Sequence, residues 1–219
     1  MDQQILNLLL AGIGETLYMT LVSTVLAYVF GLPIGVILYI TDKGGICRIR
    51  PVNSVLGILV NLLRSVPFII LLMWLLPLTR AVVGTTVGST AVIVPLVIAA
   101  APFVARMVES SLKEVDKGVI EAAQSMGAGN LRIILSVILP EAKPSLVIGS
   151  TIAVTTILGY SAMAGFTGGG GLGAIAVNYG YYRYEDEIML VTVVLMVIIV
   201  QLFQEIGMRA AKRLDKRSK

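Results

Sequence analysis

Long apolar segments separated by short polar connections dominate this chain. Five of them are long enough to cross a bilayer as a helix, which takes about 20 apolar residues. They lie at about 13–40, 52–79, 87–108, 144–166 and 188–206. Uninterrupted apolar runs of this kind are typical of membrane helices, and they differ from the alternating pattern of an outer-membrane barrel. The pattern therefore predicts an all-α integral membrane protein with five transmembrane helices.

A polar stretch at 114–143 separates the third and fourth apolar segments. Asp116 can cap a short helix that we expect to end near residue 126, and Gly127 can close it in a left-handed conformation. Asn130 can cap a second helix. That helix has one apolar stripe, made of Leu131, Ile134, Leu135 and Ile138. We therefore expect a helix, a turn and a second helix outside the hydrocarbon core.

Composition narrows the possible functions. Hydrophobic residues make up 57% of the 219 residues and charged residues 14%, and the mean hydropathy is +0.91. The sequence contains no histidine and a single cysteine, Cys47. Nucleophilic catalysis by a Ser-His or Cys-His pair and a disulfide within the chain are thereby excluded, and we expect no metal site. We predict that the chain has no catalytic residues, is not an enzyme and has no nucleic-acid partner.

Basic residues predict the orientation in the membrane, because short cytoplasmic connections are enriched in Lys and Arg. One set of connections carries Lys43, Arg48, Arg50, Lys113, Lys117, Arg132, Lys143, Arg209, Lys212, Arg213, Lys216, Arg217 and Lys219. The opposite set carries Arg80 and Arg183. We therefore expect a cytoplasmic polar stretch and C-terminus, an N-terminus outside, and a basic tail that contacts anionic membrane lipid.

The polar stretch resembles the EAA motif of permeases of binding-protein-dependent ABC importers. That pattern reads EAA, three residues, Gly, nine residues, Ile, one residue and Leu-Pro. The matching residues are Glu121, Ala122, Ala123, Gly127, Leu139 and Pro140, with Val137 in place of the isoleucine. The resemblance implies a type I ABC importer permease fold, and a coupling helix that docks on an ATP-binding subunit through Glu121, Ala122, Ala123, Met126 and Gly127. An amphipathic hairpin without a partner is the alternative.

Two polar groups within the apolar segments are candidates for a substrate path. Arg64 lies about a dozen residues into the second segment. Because an arginine at that depth needs water or a partner, it could attract a substrate carboxylate, form a gating ion pair, or bond to carbonyls freed by Pro67. The second group, in the fourth segment, consists of Tyr160, Ser161 and Met163, just before a run of glycines.

Three further stretches resemble the permease subunits of methionine ABC importers, and the resemblance covers nearly the whole chain. They are RSVPFIILL at 64–72, VPLVIAAAPFVARMVE at 94–109 and GYSAMAGFTGGGGLG at 159–173. The resemblance implies import of L- or D-methionine across a bacterial inner membrane, with two ATP-binding subunits and an extracytoplasmic methionine-binding protein. GxxxxGK[ST] is absent, so ATP and Mg²⁺ are expected on the partner subunit and no cofactor on this chain.

Five helices are too few to enclose a polar path comfortably, so we expect a two-fold homodimer with the path on its axis. The alternatives are a similar permease for another amino acid and a stand-alone ion-coupled carrier. A proton-coupled carrier needs an acid within the membrane. The sequence offers Glu15, near the beginning of the first apolar segment. A membrane-embedded enzyme is disfavoured, because no pair of carboxylates is expected at depth.

Overall fold

The computed structural model describes residues 3–214, which contain helices and no β-strand. The helices are α1 (Gln3–Thr41), α2 (Arg50–Ser65), α3 (Phe68–Trp74), α4 (Leu76–Val83), α5 (Ser89–Lys113), α6 (Lys117–Ser125), α7 (Asn130–Ile133), α8 (Leu139–Glu141), α9 (Lys143–Met163), α10 (Gly171–Ile175) and α11 (Asp186–Leu214). A π-helical turn, Ile134–Ile138, joins α7 to α8. Another, Ala176–Tyr181, continues α10, and a 3₁₀ turn, Ala164–Thr167, follows α9.

The described residues contain four helical segments long and apolar enough to cross a membrane. They are Gln3–Thr41, Ser89–Lys113, Lys143–Tyr181 and Asp186–Leu214, and the bent pair formed by α2 and α3 is a candidate fifth span. The all-α membrane architecture expected from the apolar pattern is confirmed.

The second apolar segment, expected at about 52–79, consists of three helices, α2, α3 and α4. Between α2 and α3 the chain bends by 98°. Pro67 disfavours a helical conformation at the residue before it, and Val66 is accordingly extended, with φ −81° and ψ 125°. This segment nevertheless has to traverse the fold: Asp42 before it pairs with Lys113, at one end of α5, whereas Gly88 after it bonds to the loop at the other end.

Other helix bounds also differ from the apolar pattern. Helix α1 begins at Gln3, well before residue 13, and continues through Pro33 without a break. Helix α11 continues to Leu214, beyond the end of the apolar segment at 206. Its last turns are polar and helical. Of the basic tail, Lys216, Arg217 and Lys219 lie outside the described residues.

The most extensive helix packing joins α1 to α5. A Cβ added to Gly31 would lie 2.7 Å from the carbonyl oxygen of Ala101, and one added to Gly35 would lie 2.5 Å from that of Ala105. Both pairs have four-residue spacing, so small residues face small residues along two turns. Such spacing lets helix backbones approach closely in a membrane, where packing replaces the hydrophobic effect as the driving force.

The glycine run after α9 forms a tight loop that is tied to α1. Glu15 accepts a hydrogen bond from the backbone N–H of Gly171 at 2.6 Å, and Thr16 accepts one from Leu172 at 2.9 Å. Gly171 has φ +82°, a conformation that favours glycine. Glu15 lies twelve residues into α1. The loop is therefore a packed helix junction.

Replacing Gly35 with Ala should destabilise the protein, because the added methyl group meets a backbone oxygen that cannot rotate away. Overpacking of this kind costs about 1–3 kcal/mol. Thermal unfolding of the purified protein in detergent measures the effect. Gly14→Ala on the same helix is the matched control, because its Cβ would meet nothing within 4 Å. Equal melting temperatures for the two variants would contradict this account of the packing.

Candidate coupling surface and substrate cavity

Helix α6 is built as the sequence predicts at both ends. Asp116 precedes it, and its carboxylate accepts a hydrogen bond from the backbone N–H of Gly118 at 2.6 Å. The helix runs from Lys117 to Ser125, and Gly127 follows with φ +79°. The side-chain cap satisfies one N–H group at the start of the helix, and the left-handed glycine lets the chain leave it. The result is a short helix with fixed ends.

The cap predicted for the second helix is wrong. Gly129 occupies the cap position, and no side-chain hydrogen bond caps α7. Asn130 is the first helical residue instead. Because Gly129, with φ −70° and ψ 156°, is the last extended residue, the helix begins one residue earlier than expected.

The five predicted coupling residues do not share one face. Glu121, Ala122, Met126 and Gly127 are exposed, and Met126 is 81% accessible. Ala123 is 4% accessible and packs in the same core cluster as Ile133. Its side chain therefore faces this chain's own interior and holds α6 against the rest of the fold. The described residues contain no ion-pair partner for Glu121.

A cavity of about 420 Å³ lies beside α6, between that helix, the end of α5 and the connection after α1. Glu121 and Lys117 line one side, and Asp42 and Lys113 line another. The Lys113 ammonium lies 3.1 Å from the Asp42 carboxylate. The pKa of Asp42 lies below its ordinary value because the backbone N–H of Lys43 and the Lys113 side chain donate to the carboxylate. The exposed face of α6 is thus bordered by a charged recess.

A second, smaller cavity brings Arg64 and Tyr160 together. It measures about 250 Å³, and its other walls include Phe68 and Phe103. The Phe68 and Tyr160 rings are stacked, with centroids 4.6 Å apart and planes 7° apart. Within residues 3–214, Arg64 donates no hydrogen bond to a carbonyl, including those near Pro67. The cavity combines a free guanidinium with aromatic walls.

The other two predicted path residues behave differently from each other. Met163 is 48% accessible and follows Tyr160 by three residues, so both lie on one face of α9. Ser161 is 1% accessible, and its hydroxyl donates to the carbonyl of Leu158 at 2.8 Å. Ser161 is thus part of the helix packing and does not reach the cavity.

Phe68 is the wall residue that sequence reasoning missed. It follows Pro67 and begins α3, so the bend is what turns its ring toward α9. An aromatic residue directly after a proline in an apolar segment was the available signal. Nothing local in the sequence indicates which ring it stacks on.

Comparison with known families supplies the assignment. Residues 31–219 match the family described as the inner membrane component of binding-protein-dependent transport systems. The chain belongs to this family. It is therefore a multi-pass inner-membrane component of a transport system, as the EAA motif predicted.

Relatives cover most of the chain. The probable D-methionine transport system permease protein MetI of Vibrio cholerae is 49% identical over 96% of this chain and 94% of its own length. The D-methionine transport system permease protein MetI of Escherichia coli K12 is 49% identical over 75% of this chain and 76% of its own length.

Solved structures agree with the fold. A chain from the MetNI methionine ABC transporter in an inward-facing conformation is 47% identical to this chain, with a TM-score of 0.97. The alignment covers 99% of this chain and 100% of that one. A chain from an amino acid ABC transporter, 21% identical with a TM-score of 0.78, shares the fold. The predicted ABC importer permease fold is confirmed.

Asp116→Ala should loosen the start of α6, because the helix loses its side-chain cap, which is worth about 1 kcal/mol. Hydrogen exchange of the backbone amides in 117–121 should accelerate about fivefold. Asn130→Ala is the control, since Asn130 caps nothing. An equal change in exchange for both variants would contradict the assignment of the cap.

Proposed function

We propose that this chain is the membrane-spanning subunit of an ATP-driven methionine importer. Two copies form the translocation path, two ATP-binding subunits hydrolyse ATP with Mg²⁺, and an extracytoplasmic binding protein delivers the substrate. The observation that carries the proposal is the capped, exposed helix α6 bearing the EAA residues in a chain closely similar to MetI permeases. The chain itself binds no nucleotide and has no catalytic role.

Helix α6 docks in a groove of the ATP-binding subunit. Three exposed residues make the contact. Glu121 supplies a charge, Ala122 lets the partner approach closely, and Met126 supplies a flexible apolar side chain. Ala123 acts from the other side by seating α6 on the core of this chain. A helix held at both ends and packed underneath moves as one body, so nucleotide-driven movement of the partner reaches the membrane helices.

The end of the fold that carries α6 faces the cytoplasm. Lys113 and Lys117 line the recess at this end, and Arg209 lies in the last turns of α11. This matches the rule that cytoplasmic connections are rich in basic residues. An odd number of crossings then puts the N-terminus outside. The same orientation gives α6 access to the compartment that holds ATP.

The cavity around Arg64 and Tyr160 lies on the substrate path. The guanidinium attracts the substrate carboxylate, because arginine offers a fixed fork of donors that stays charged. The Tyr160 ring and the exposed Met163 suit a thioether side chain, since sulfur interacts favourably with aromatic rings. Ser161 is left out of this path because its hydroxyl is already paired. A similar permease for another amino acid remains the second candidate, and the 21% identical amino acid transporter shares the fold on which it would be built.

A stand-alone proton-coupled carrier is disfavoured by the position of Glu15. Its carboxylate accepts a hydrogen bond from Gly171, and a carboxylate that holds a helix junction in this way is a structural group. Membership in a family of binding-protein-dependent systems also speaks for a partner-driven mechanism.

Glu121→Lys should leave the protein folded and abolish ATP-driven methionine uptake, because the reversed charge faces the ATP-binding subunit. Uptake is measured with the complete complex in proteoliposomes. Glu187→Lys is the matched control, since it reverses an exposed acid at the start of α11, away from α6. Unimpaired uptake by Glu121→Lys would remove the argument for docking through this face.

Tyr160→Ala and Met163→Ala should change methionine uptake, with the larger effect on the concentration at half-maximal rate, while assembly with the partners is retained. Tyr160→Ala removes the ring that stacks on Phe68. Ser161→Ala is the control on the same helix and should behave like the original protein. If all three variants transport normally, this part of α9 is scaffold only.

A further inference from the structure

Four charged side chains form a continuous chain of contacts at the end of α5. Glu109 is the centre: its carboxylate lies 2.6 Å from the Arg106 guanidinium and 2.7 Å from the Lys113 ammonium. Lys113 continues to Asp42, 3.1 Å away in the connection after α1. The Glu109 side chain is only 8% accessible. Separating either cation from this buried carboxylate is costly, because it leaves a buried charge less well compensated.

Arg106 extends this chain of contacts to α2. One guanidinium nitrogen donates to Glu109, and the other donates to the carbonyl of Gly57 and to the side-chain oxygen of Asn61, both at 3.0 Å. Gly57 has no side chain, and a Cβ there would lie 3.4 Å from that nitrogen. The guanidinium therefore fixes α2 against α5 at two points one turn apart.

One end of this chain of contacts lies beside α6, since Lys113 ends α5 four residues before α6 begins, and the other end lies on α2 one turn before Arg64. Asp42 and Lys113 line the recess beside α6 that also contains Glu121. At the other end, Asn61 lies three residues before Arg64, and the Asn61 carbonyl accepts a hydrogen bond from Ser65 in the last turn of α2. Movement of α2 at Asn61 is therefore movement of the cavity wall that carries Arg64.

We propose that Asp42, Lys113, Glu109, Arg106 and Asn61 form a polar relay that transmits displacement of α6 to α2 and so positions Arg64 in the substrate cavity. The inference rests on the proposed function, because it assumes that a partner moves α6. Glu109 and Arg106 are positioning residues that touch neither substrate nor nucleotide. The relay resists stretching because it is built from short charge-assisted hydrogen bonds, which are stronger than neutral ones.

Arginine is required at position 106 for a geometric reason. Its planar guanidinium presents several donors in a fixed fork, so it can hold Glu109, Gly57 and Asn61 at once. A lysine there would keep the charge on Glu109 but has one nitrogen to share among these acceptors. Arg106→Lys consequently preserves the ion pair and breaks the link to α2.

The test uses the complete complex in proteoliposomes and measures two rates, ATP hydrolysis and methionine uptake. Glu109→Gln and Arg106→Lys should reduce the methionine transported per ATP hydrolysed roughly tenfold, a size typical of coupling between two sites. ATP hydrolysis and the melting temperature of the complex should change little for Arg106→Lys. A merely structural role would lower stability and leave the ratio of the two rates unchanged.

The matched control is the ion pair of Arg209 with Glu205, which joins the same residue types on the exposed face of α11. Arg209→Lys and Glu205→Gln should leave the transport ratio unaltered. If these controls lower the ratio as much as the relay variants do, or if both relay variants keep the original ratio, the relay is overturned.

A double-substitution experiment tests whether the contacts act in series. Asn61 is exposed, and Asn61→Ala removes one of the two hydrogen bonds between Arg106 and α2. This substitution should by itself lower the amount of methionine transported per ATP. Adding it to Glu109→Gln should produce little further loss, since a broken relay cannot be broken again. Strictly additive losses would contradict the relay. Failure of the relay variants alone leaves docking at Glu121 standing, whereas failure of Glu121→Lys to uncouple removes the proposed function itself.

Discussion

Close contact between α1 and α5 is the constraint on which the rest of this structure depends. Gly31 and Gly35 face the carbonyl oxygens of Ala101 and Ala105 so closely that no side chain fits between the two backbones. In a membrane this kind of packing supplies much of the stability that apolar burial supplies in water. Because α1 and α5 form one rigid pair, the segments packed at one end of the pair keep a fixed position relative to the segments at the other end.

The attachments at the two ends have different physical characters. At one end the glycine loop is held to α1 by the backbone N–H of Gly171, which donates to the Glu15 carboxylate, and by tight packing. At the other end, α5 and the connection after α1 meet through charged side chains around Lys113. A packed junction suits a pivot, and a charged, partly exposed junction suits a surface that receives force from a partner. The same polar end carries the contacts that reach α2.

Local signals in the sequence were sufficient for both ends of α6, although they misplaced the start of α7 by one residue. Asp116 and Gly127 bound α6 as expected, because capping and left-handed closure depend on a few neighbouring residues. The contacts that depend on distant elements were not predictable. The stacking of Phe68 on Tyr160 follows from the bend after α2, and the burial of Ala123 follows from which face α6 turns inward.

The central claim is that this chain works only as one part of a partner-driven importer. Its most direct test is affinity purification of the tagged chain from its native membrane, with identification of the proteins that accompany it. The account predicts a second copy of the chain, an ATP-binding subunit and a methionine-binding protein, with methionine uptake that requires ATP. A chain that purifies alone and transports methionine without ATP would contradict it.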